Sequence, residues 1–180
     1  MPTKMKVTTH TAIEPDSNSL IILDRDNTLS QDFGPMNGES DCIIFPTVIE
    51  GLRILSTLGP VLAIATNQSY VGRGEISLKE VEAFHQKLLQ VLNIHGIRIN
   101  LIAICPHTPW DNCFCRKPKP GMLNKLVKVS NIQNQNRIFF IGDKDSDMEA
   151  AKNAGIRGFK SDAVNFLGIC ESIKILLSND

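Results

Sequence analysis

The chain has 180 residues, 42% of them hydrophobic, and its 19 basic and 19 acidic side chains leave no net charge at pH 7. That length suits a single domain with its own core, and the cancelled charge excludes a global positive field that would draw the protein to nucleic acid or an anionic membrane. No window approaches eighteen apolar residues and the first eighteen lack the apolar stretch of a secretory signal. The chain therefore reads as a cytoplasmic monomer of one domain, with residues 1–18 as a flexible extension.

Apolar runs then alternate with helical periodicity. SLIILD at 19–24 is a short continuous apolar run ending in a carboxylate, the pattern of a buried parallel strand. PTVIEGLRILSTLG at 46–59 sets Val48, Leu52, Leu55 and Leu58 on one helical face and closes at Gly59. VLAIA at 61–65 gives a second strand. Ser77 and Glu80 match a capping box, after which Val81, Phe84, Leu88 and Leu92 recur at helical spacing until Gly96. NLIAIC at 100–105 is a third strand, Pro120 suits the first turn of a helix reaching Ser130, and RIFFIGD at 137–143 is a fourth strand. SDMEAAKNAG predicts a helix ending at Gly155, followed by a short strand, IRGF, and a last helix at 164–177. Such alternation predicts a doubly wound, mainly parallel α/β sheet with ligands at the carboxyl ends of its strands.

Two groups of residues carry chemistry. Cys105, His107, Cys113 and Cys115 follow the spacing Cys-x-His-x5-Cys-x-Cys, and four such donors can close around one tetrahedral ion with no open position, which makes the site structural. In a reducing compartment clustered cysteines are more often metal ligands than disulfides, and Cys113 and Cys115 are too close in sequence to pair comfortably. The second group sits at strand ends. Asp24 and Asp26, two residues apart in extended chain, face the same side. Alone they read as a turn or helix cap; as a pair they divide into a nucleophile and an acid. Thr66 and Asn67 end the second strand with groups able to donate to phosphate oxygens, and Asp143 and Asp147 end the fourth with hard oxygen donors of the kind magnesium prefers.

In that combination the chain resembles the haloacid dehalogenase superfamily of phosphatases from Ser19 to Phe159, matching its four motifs in order through Asp24 and Asp26, Thr66 and Asn67, a basic residue in RKPKPG, and Asp143. Within it the chain is similar to the heptose bisphosphate and histidinol phosphate phosphatases, which carry a Cys-x-His…Cys-x-Cys zinc loop just before the third motif. Only about twenty residues separate Asp24 from the first helix and the zinc loop is short, which leaves no room for a separate cap domain. The resemblance implies that Asp24 attacks phosphorus, that Asp26 serves as acid and base, and that magnesium is held by Asp24, the Asp26 carbonyl and Asp143. Zinc on the four-ligand loop would turn Arg116 and Lys117 toward the phosphate, and Thr66, Asn67, Gln68 and Ser69 would surround it.

The implied substrate is a small phosphate ester, the 7-phosphate of D-glycero-D-manno-heptose 1,7-bisphosphate, with histidinol phosphate and, more distantly, a polynucleotide 3'-phosphate as alternatives. Arg73, Arg116 and Lys144 beside Lys117 suit a second anionic group, whereas histidinol phosphate brings an ammonium; Asp32, Glu39 and Asp111 weigh the other way. The loop Gln31–Pro35 falls where the heptose enzymes contact substrate, which places Asp32 among the binding residues, but Phe33, Pro35 and Asn27 depart from the usual His, Tyr and Gly. Arg73 in NQSYVGRG is either turn punctuation or a reach to a second anion, and Asp147 is either a supporting site residue or a helix N-terminal one favoured by the dipole. His85 reads as a surface or flanking residue, and Cys42 and Cys170 as small, partly buried hydrophobes.

Overall fold

A computed structural model describes residues 4–32, 34, 42–162 and 164–179. Six strands form one sheet in the order β1-β4-β3-β2-β5-β6. They are β1 (Lys6–Thr9), β2 (Leu20–Leu23), β3 (Val61–Asn67), β4 (Leu101–Cys105), β5 (Ile138–Gly142) and β6 (Arg157–Lys160). All neighbours run parallel except β1, which is antiparallel to β4. The helices are α1 (Pro46–Ser56), α2 (Ser69–Gly72), α3 (Leu78–Ile94), α4 (Gly121–Ser130), α5 (Asp145–Ala154) and α6 (Phe166–Ser178).

The alternation of strand side chains decides which helix covers which face. Ile21, Leu23, Ile64, Ile102 and Ile141 point to one side, where they meet Val48, Leu52 and Leu55 of α1, Phe84 and Leu88 of α3, and Phe166 and Ile173 of α6. Leu20, Ile22, Ala63, Ala103 and Phe140 point to the other, against Met122, Leu123 and Leu126 of α4 and Ala150 of α5. With both faces covered, β2, β4 and β5 are buried along their whole length, which is why they read as unbroken apolar runs. Each large aliphatic side chain so buried contributes about 1.5–3 kcal/mol of transfer free energy. The α3 capping box is formed as predicted: Ser77 N donates to Glu80 Oε2 at 2.7 Å and Glu80 N to Ser77 Oγ at 3.2 Å.

Three features differ from this reading or go beyond it. Residues 1–18 are not simply a flexible extension: Lys6–Thr9 pair with β4, from Lys6 opposite Ile104 to Thr9 opposite Leu101. The polar run KVTT hides this strand because an edge position leaves it half-buried rather than enclosed. The buried Asn100 amide extends the attachment, donating to Thr11 Oγ1 at 3.1 Å and Ala12 O at 2.8 Å while accepting from Leu62 N at 3.0 Å. Second, Pro120 precedes α4 rather than lying in its first turn. Third, α2 is too short to leave a periodic signal in sequence.

Candidate active site

Strand register brings the motif residues to one edge. Leu23 pairs with Ile64 of β3 and Ile141 of β5, so Asp24, Ala65 and Gly142 lie side by side, and Asp24 N donates to Ile141 O at 2.8 Å. Lys117 reaches this point from the loop after β4. Its ammonium, buried with the rest of the side chain, ion-pairs with Asp24 Oδ1, lies 2.7 Å from Asp147 Oδ1 and donates to Ala65 O at 2.9 Å.

Burial dominates the electrostatics of the cluster. Removal from water pushes the Asp24 carboxyl up to about 7; Lys117 opposes that rise, and Asp147 and Asp26 add to it. Burial alone would lower the Lys117 ammonium, but Asp24 and Asp147 outweigh it and hold the group above its usual range. Asp143 is also raised, by burial first, with Lys144 opposing and Asp147 reinforcing. One carboxylate oxygen from each of Asp24, Asp143 and Asp147 lies within 4.8 Å of the others. Asp143 Oδ1 is buried without a hydrogen-bond partner. An orphaned anionic oxygen in such a cluster fits a hard divalent cation, which would satisfy it and offset the mutual repulsion.

Asp147 answers to both of its sequence readings at once. It stands in the first turn of α5, where Oδ2 accepts from Lys144 N at 3.0 Å, while Oδ1 faces Lys117. Its fit depends on Gly142, because a Cβ there would come within 2.6 Å of the Asp147 side chain.

The other predicted residues are placed as follows. Thr66 is fully buried and its hydroxyl accepts from Gln68 Nε2 at 2.8 Å. Asn67 clamps the loop, with Nδ2 donating to Lys117 O at 3.1 Å and Oδ1 accepting from Lys117 N at 3.2 Å. Gln68 holds Asp26 Oδ2 at 2.9 Å. Ser69 opens α2, and its hydroxyl accepts from Arg73 Nη1 at 3.0 Å; Arg73, exposed, stacks over Tyr70 and ion-pairs with Glu75. Arg116 does not join Lys117 at the carboxylates: Nη1 donates to His107 O at 3.2 Å. Lys144 is exposed just before α5. Asp32 Oδ1 accepts from Gly34 N at 2.9 Å, and Asp111 Oδ2 accepts from Thr108 N and Oγ1, so Asp111 is committed to its own turn. Phe33, Pro35 and Glu39 lie outside the described residues.

Sequence reasoning missed Arg25 and misplaced His85. Arg25 is buried, with Nε and Nη2 both 2.7 Å from Asp26 Oδ1, and Nη1 lies 3.3 Å from the Nε2 of a His85 that is itself only 2% exposed. No local signal marks a contact between positions sixty residues apart. Asn27, in place of the family glycine, adopts φ 59°, a left-handed conformation that Asn tolerates.

The cysteine loop converges as its spacing predicts. Cys115 Sγ lies 3.3 Å from Cys105 Sγ, 3.6 Å from Cys113 Sγ and 3.2 Å from His107 Nδ1, and Cys105 Sγ lies 3.4 Å from His107 Nδ1 and 3.8 Å from Cys113 Sγ. A tetrahedron with zinc–sulfur bonds of about 2.3 Å has edges of about 3.8 Å, so the donor set fits that ion closely. Hydrogen bonding between the two sulfurs, partly opposed by burial, brings the Cys115 thiol down to about 6, while the same contact together with burial pushes the Cys105 thiol up. Gly121 permits the loop to rest on α4, since a Cβ there would sit 2.4 Å from Phe114 O.

The sequence pattern of the haloacid dehalogenase-like hydrolases matches residues 7–155. The chain belongs to that family. It is 40% identical over 137 residues to the D-glycero-beta-D-manno-heptose-1,7-bisphosphate 7-phosphatase of Pseudomonas aeruginosa, covering 76% of each chain. It is 32% identical over 153 residues to the histidine biosynthesis bifunctional protein HisB of Blochmanniella floridana, covering 83% of this chain and 43% of that longer protein. The crystal structure of D,D-heptose 1,7-bisphosphate phosphatase from B. bronchiseptica, complexed with magnesium and phosphate, superposes with a TM-score of 0.75 at 27% identity, over 90% of this chain and 99% of that one. This haloacid dehalogenase-like protein is thus a phosphoric monoester hydrolase, and no helix among its described residues is long and apolar enough to cross a membrane.

Proposed function

We propose that this phosphatase removes the 7-phosphate of D-glycero-D-manno-heptose 1,7-bisphosphate through an aspartyl-phosphate intermediate, with magnesium at the carboxylates and structural zinc in the cysteine loop. The observation that carries the reading is the clustering of Asp24, Asp143 and Asp147, with the buried Lys117 ammonium paired to Asp24 and Asp147 and Asp143 Oδ1 left unpaired. Asp24 attacks phosphorus, and Asp26 delivers a proton to the departing sugar oxygen and then takes one from the hydrolytic water. Lys117 carries positive charge to the transferring phosphoryl group, and the Thr66 hydroxyl, which accepts from Gln68, keeps its own proton to donate. Asn67 acts through Lys117 by fixing its backbone. A magnesium ion held by Asp24, Asp143 and the Asp26 carbonyl supplies the charge that offsets repulsion between nucleophile and dianionic substrate. Asp147 orients Lys117 beside it.

Cation binding is measurable without turnover. At about 100 times its dissociation constant, magnesium is expected to stabilise the fold by ~2.7 kcal/mol, a rise of roughly 5–10 °C in melting temperature. Asp143→Asn is expected to remove most of that shift; a full shift in the variant would place the ion elsewhere.

The substrate assignment draws on the mouth of the site. Beside the zinc loop is a cleft of about 230 Å³ lined by Thr108, Asn112, Arg116, Lys117 and Lys119. Arg116 and Lys119 on this cleft, apart from the Lys117 ammonium that serves the reacting phosphate, favour a second anionic group and disfavour the ammonium of histidinol phosphate. The bisphosphate is expected to show a kcat/KM at least about tenfold above that of histidinol phosphate, a difference worth ~1.4 kcal/mol. Arg116→Ala and Arg73→Ala are each expected to narrow the gap through the sugar substrate. The five-residue gap between His107 and Cys113 and the likeness to HisB favour the second reading, which a clear preference for histidinol phosphate would establish. The five free thiols suit the reducing compartment proposed for the enzyme.

A further inference from the structure

We propose that Arg25 and His85 form a buried buttress that aims the carboxyl group of Asp26 at the leaving oxygen, making both positioning residues for the acid step. The inference rests on the assignment of Asp26 as the acid. Alternation along β2 and its extension sends Arg25 to the face opposite Asp24 and Asp26, toward the α3 layer. Its guanidinium then folds back: Nε and Nη2 both meet Asp26 Oδ1 at 2.7 Å, while Gln68 Nε2 meets Oδ2 at 2.9 Å. One hydrogen bond on each oxygen, with the Nη2 ion-pair contact beside the first, thus fixes the plane of the carboxyl group.

A buried guanidinium is a poor anchor unless it is anchored itself, and α3 provides that. Phe84 lies under the guanidinium, 4.7 Å from ring centroid to Cζ, and His85 Nε2 lies 3.3 Å from Nη1. An arginine nitrogen can only donate, so Nε2 must carry the lone pair and the proton must sit on Nδ1. Burial, with Arg25 and His10 adding to it, keeps the imidazole well below its usual pKa and hence neutral. The Arg25 backbone holds the same turn from inside, its carbonyl accepting from Leu29 N at 2.9 Å and Ser30 N at 3.1 Å. The chain that fixes Asp26 therefore runs from α3 through Arg25, and neither contact includes the nucleophile.

In the acid step an Asp24 oxygen bonds phosphorus, the bond from phosphorus to the leaving oxygen breaks, and the Asp26 proton goes to that oxygen. The value of the proton depends on the leaving group. An alkyl phosphate such as the sugar ester needs it, whereas 4-nitrophenyl phosphate departs as a stable phenolate without it. Comparing kcat/KM on both esters isolates this step, because kcat/KM stops at alcohol release and omits the later base role of Asp26.

The test measures both esters with saturating magnesium for the intact protein and for Asp26→Asn, His85→Leu, His85→Gln and Arg25→Lys, each checked by thermal melting. His85→Leu is expected to lower kcat/KM on the alkyl ester by about tenfold, a fraction of the 10²–10⁴ that general acid catalysis supplies, and by less than about twofold on 4-nitrophenyl phosphate. His85→Gln, which keeps an acceptor near Nη1, is expected to recover most of the alkyl-ester rate. Arg25→Lys is expected to resemble His85→Leu. Equal losses on both esters, or no loss on either, would overturn the buttress while Asp26→Asn alone remained selective for the alkyl ester. If Asp26→Asn itself showed no selectivity, the acid assignment would fall and take the buttress with it.

Discussion

Asp24→Asn is expected to lower turnover by on the order of 10⁵-fold, the scale on which loss of a covalent nucleophile acts, and to leave no phosphorylated enzyme after rapid acid quench with a ³²P-labelled substrate. The amide cannot attack, and no other described carboxylate lies level with Ala65 and Gly142 at the sheet centre. The same variant carries a second signature, in stability. Asp24 has a folded-state pKa of about 7, above the ordinary carboxylate range, so the folded metal-free protein holds this proton more tightly than the unfolded chain. Stability tied to that proton is complete below the unfolded pKa of about 3.9 and is lost as pH rises through about 7. In chelator, Asp24→Asn should therefore gain on the parent protein as pH rises from 4 to 8. A variant that retains magnesium-dependent turnover would end the covalent mechanism; one whose relative stability falls over that range would end the account of burial.

Loss of zinc is expected to have the next largest effect. The protein purified without chelator should carry about one zinc per chain, and Cys115→Ser should lose the metal and about 10²-fold or more in kcat, beyond the 10-to-100-fold cost of disturbing a supporting shell. The reason is geometric. Cys115 and Lys117 are two residues apart; one is tied through the ligand set to Cys105 at the end of β4, and the other is clamped by Asn67 at the end of β3. Releasing the first tie leaves the Lys117 ammonium hung on a loop with one anchor. Elemental analysis, thermal unfolding and steady-state kinetics on the same preparation check this. Absence of zinc, or full activity after its removal, would sink the idea.

Much of the site was legible because its chemistry is local. Asp24 with Asp26, and Asp143 with Asp147, announce themselves by spacing at strand ends, and the four zinc ligands span eleven residues. What escaped depends on contacts across the fold. The clamp by which Asn67 holds Lys117, fifty residues later in the chain, left no trace in sequence beside its reading as a phosphate donor. His85 looked like a flanking residue because α3 has an apolar stripe beside it, and nothing in the helix reveals the guanidinium that makes its burial acceptable. The longer helices were readable from periodicity and the inner strands from unbroken apolar runs, whereas α2 was too short and β1, polar and at the edge, had neither signal to offer.

That edge has a consequence for the protein's behaviour in a crowded solution. Parallel sheets assemble slowly from distant segments and leave strands open to wrong partners meanwhile. Here the sheet ends on both sides in strands of only four residues, β1 and β6, each bearing a lysine. Lys6 pairs with Glu82 and Lys160 with Asp145, so an approaching strand would meet charge where it seeks a free backbone ladder. The long apolar strands lie inside, out of reach, and the borders of the sheet discourage it from growing into its neighbours.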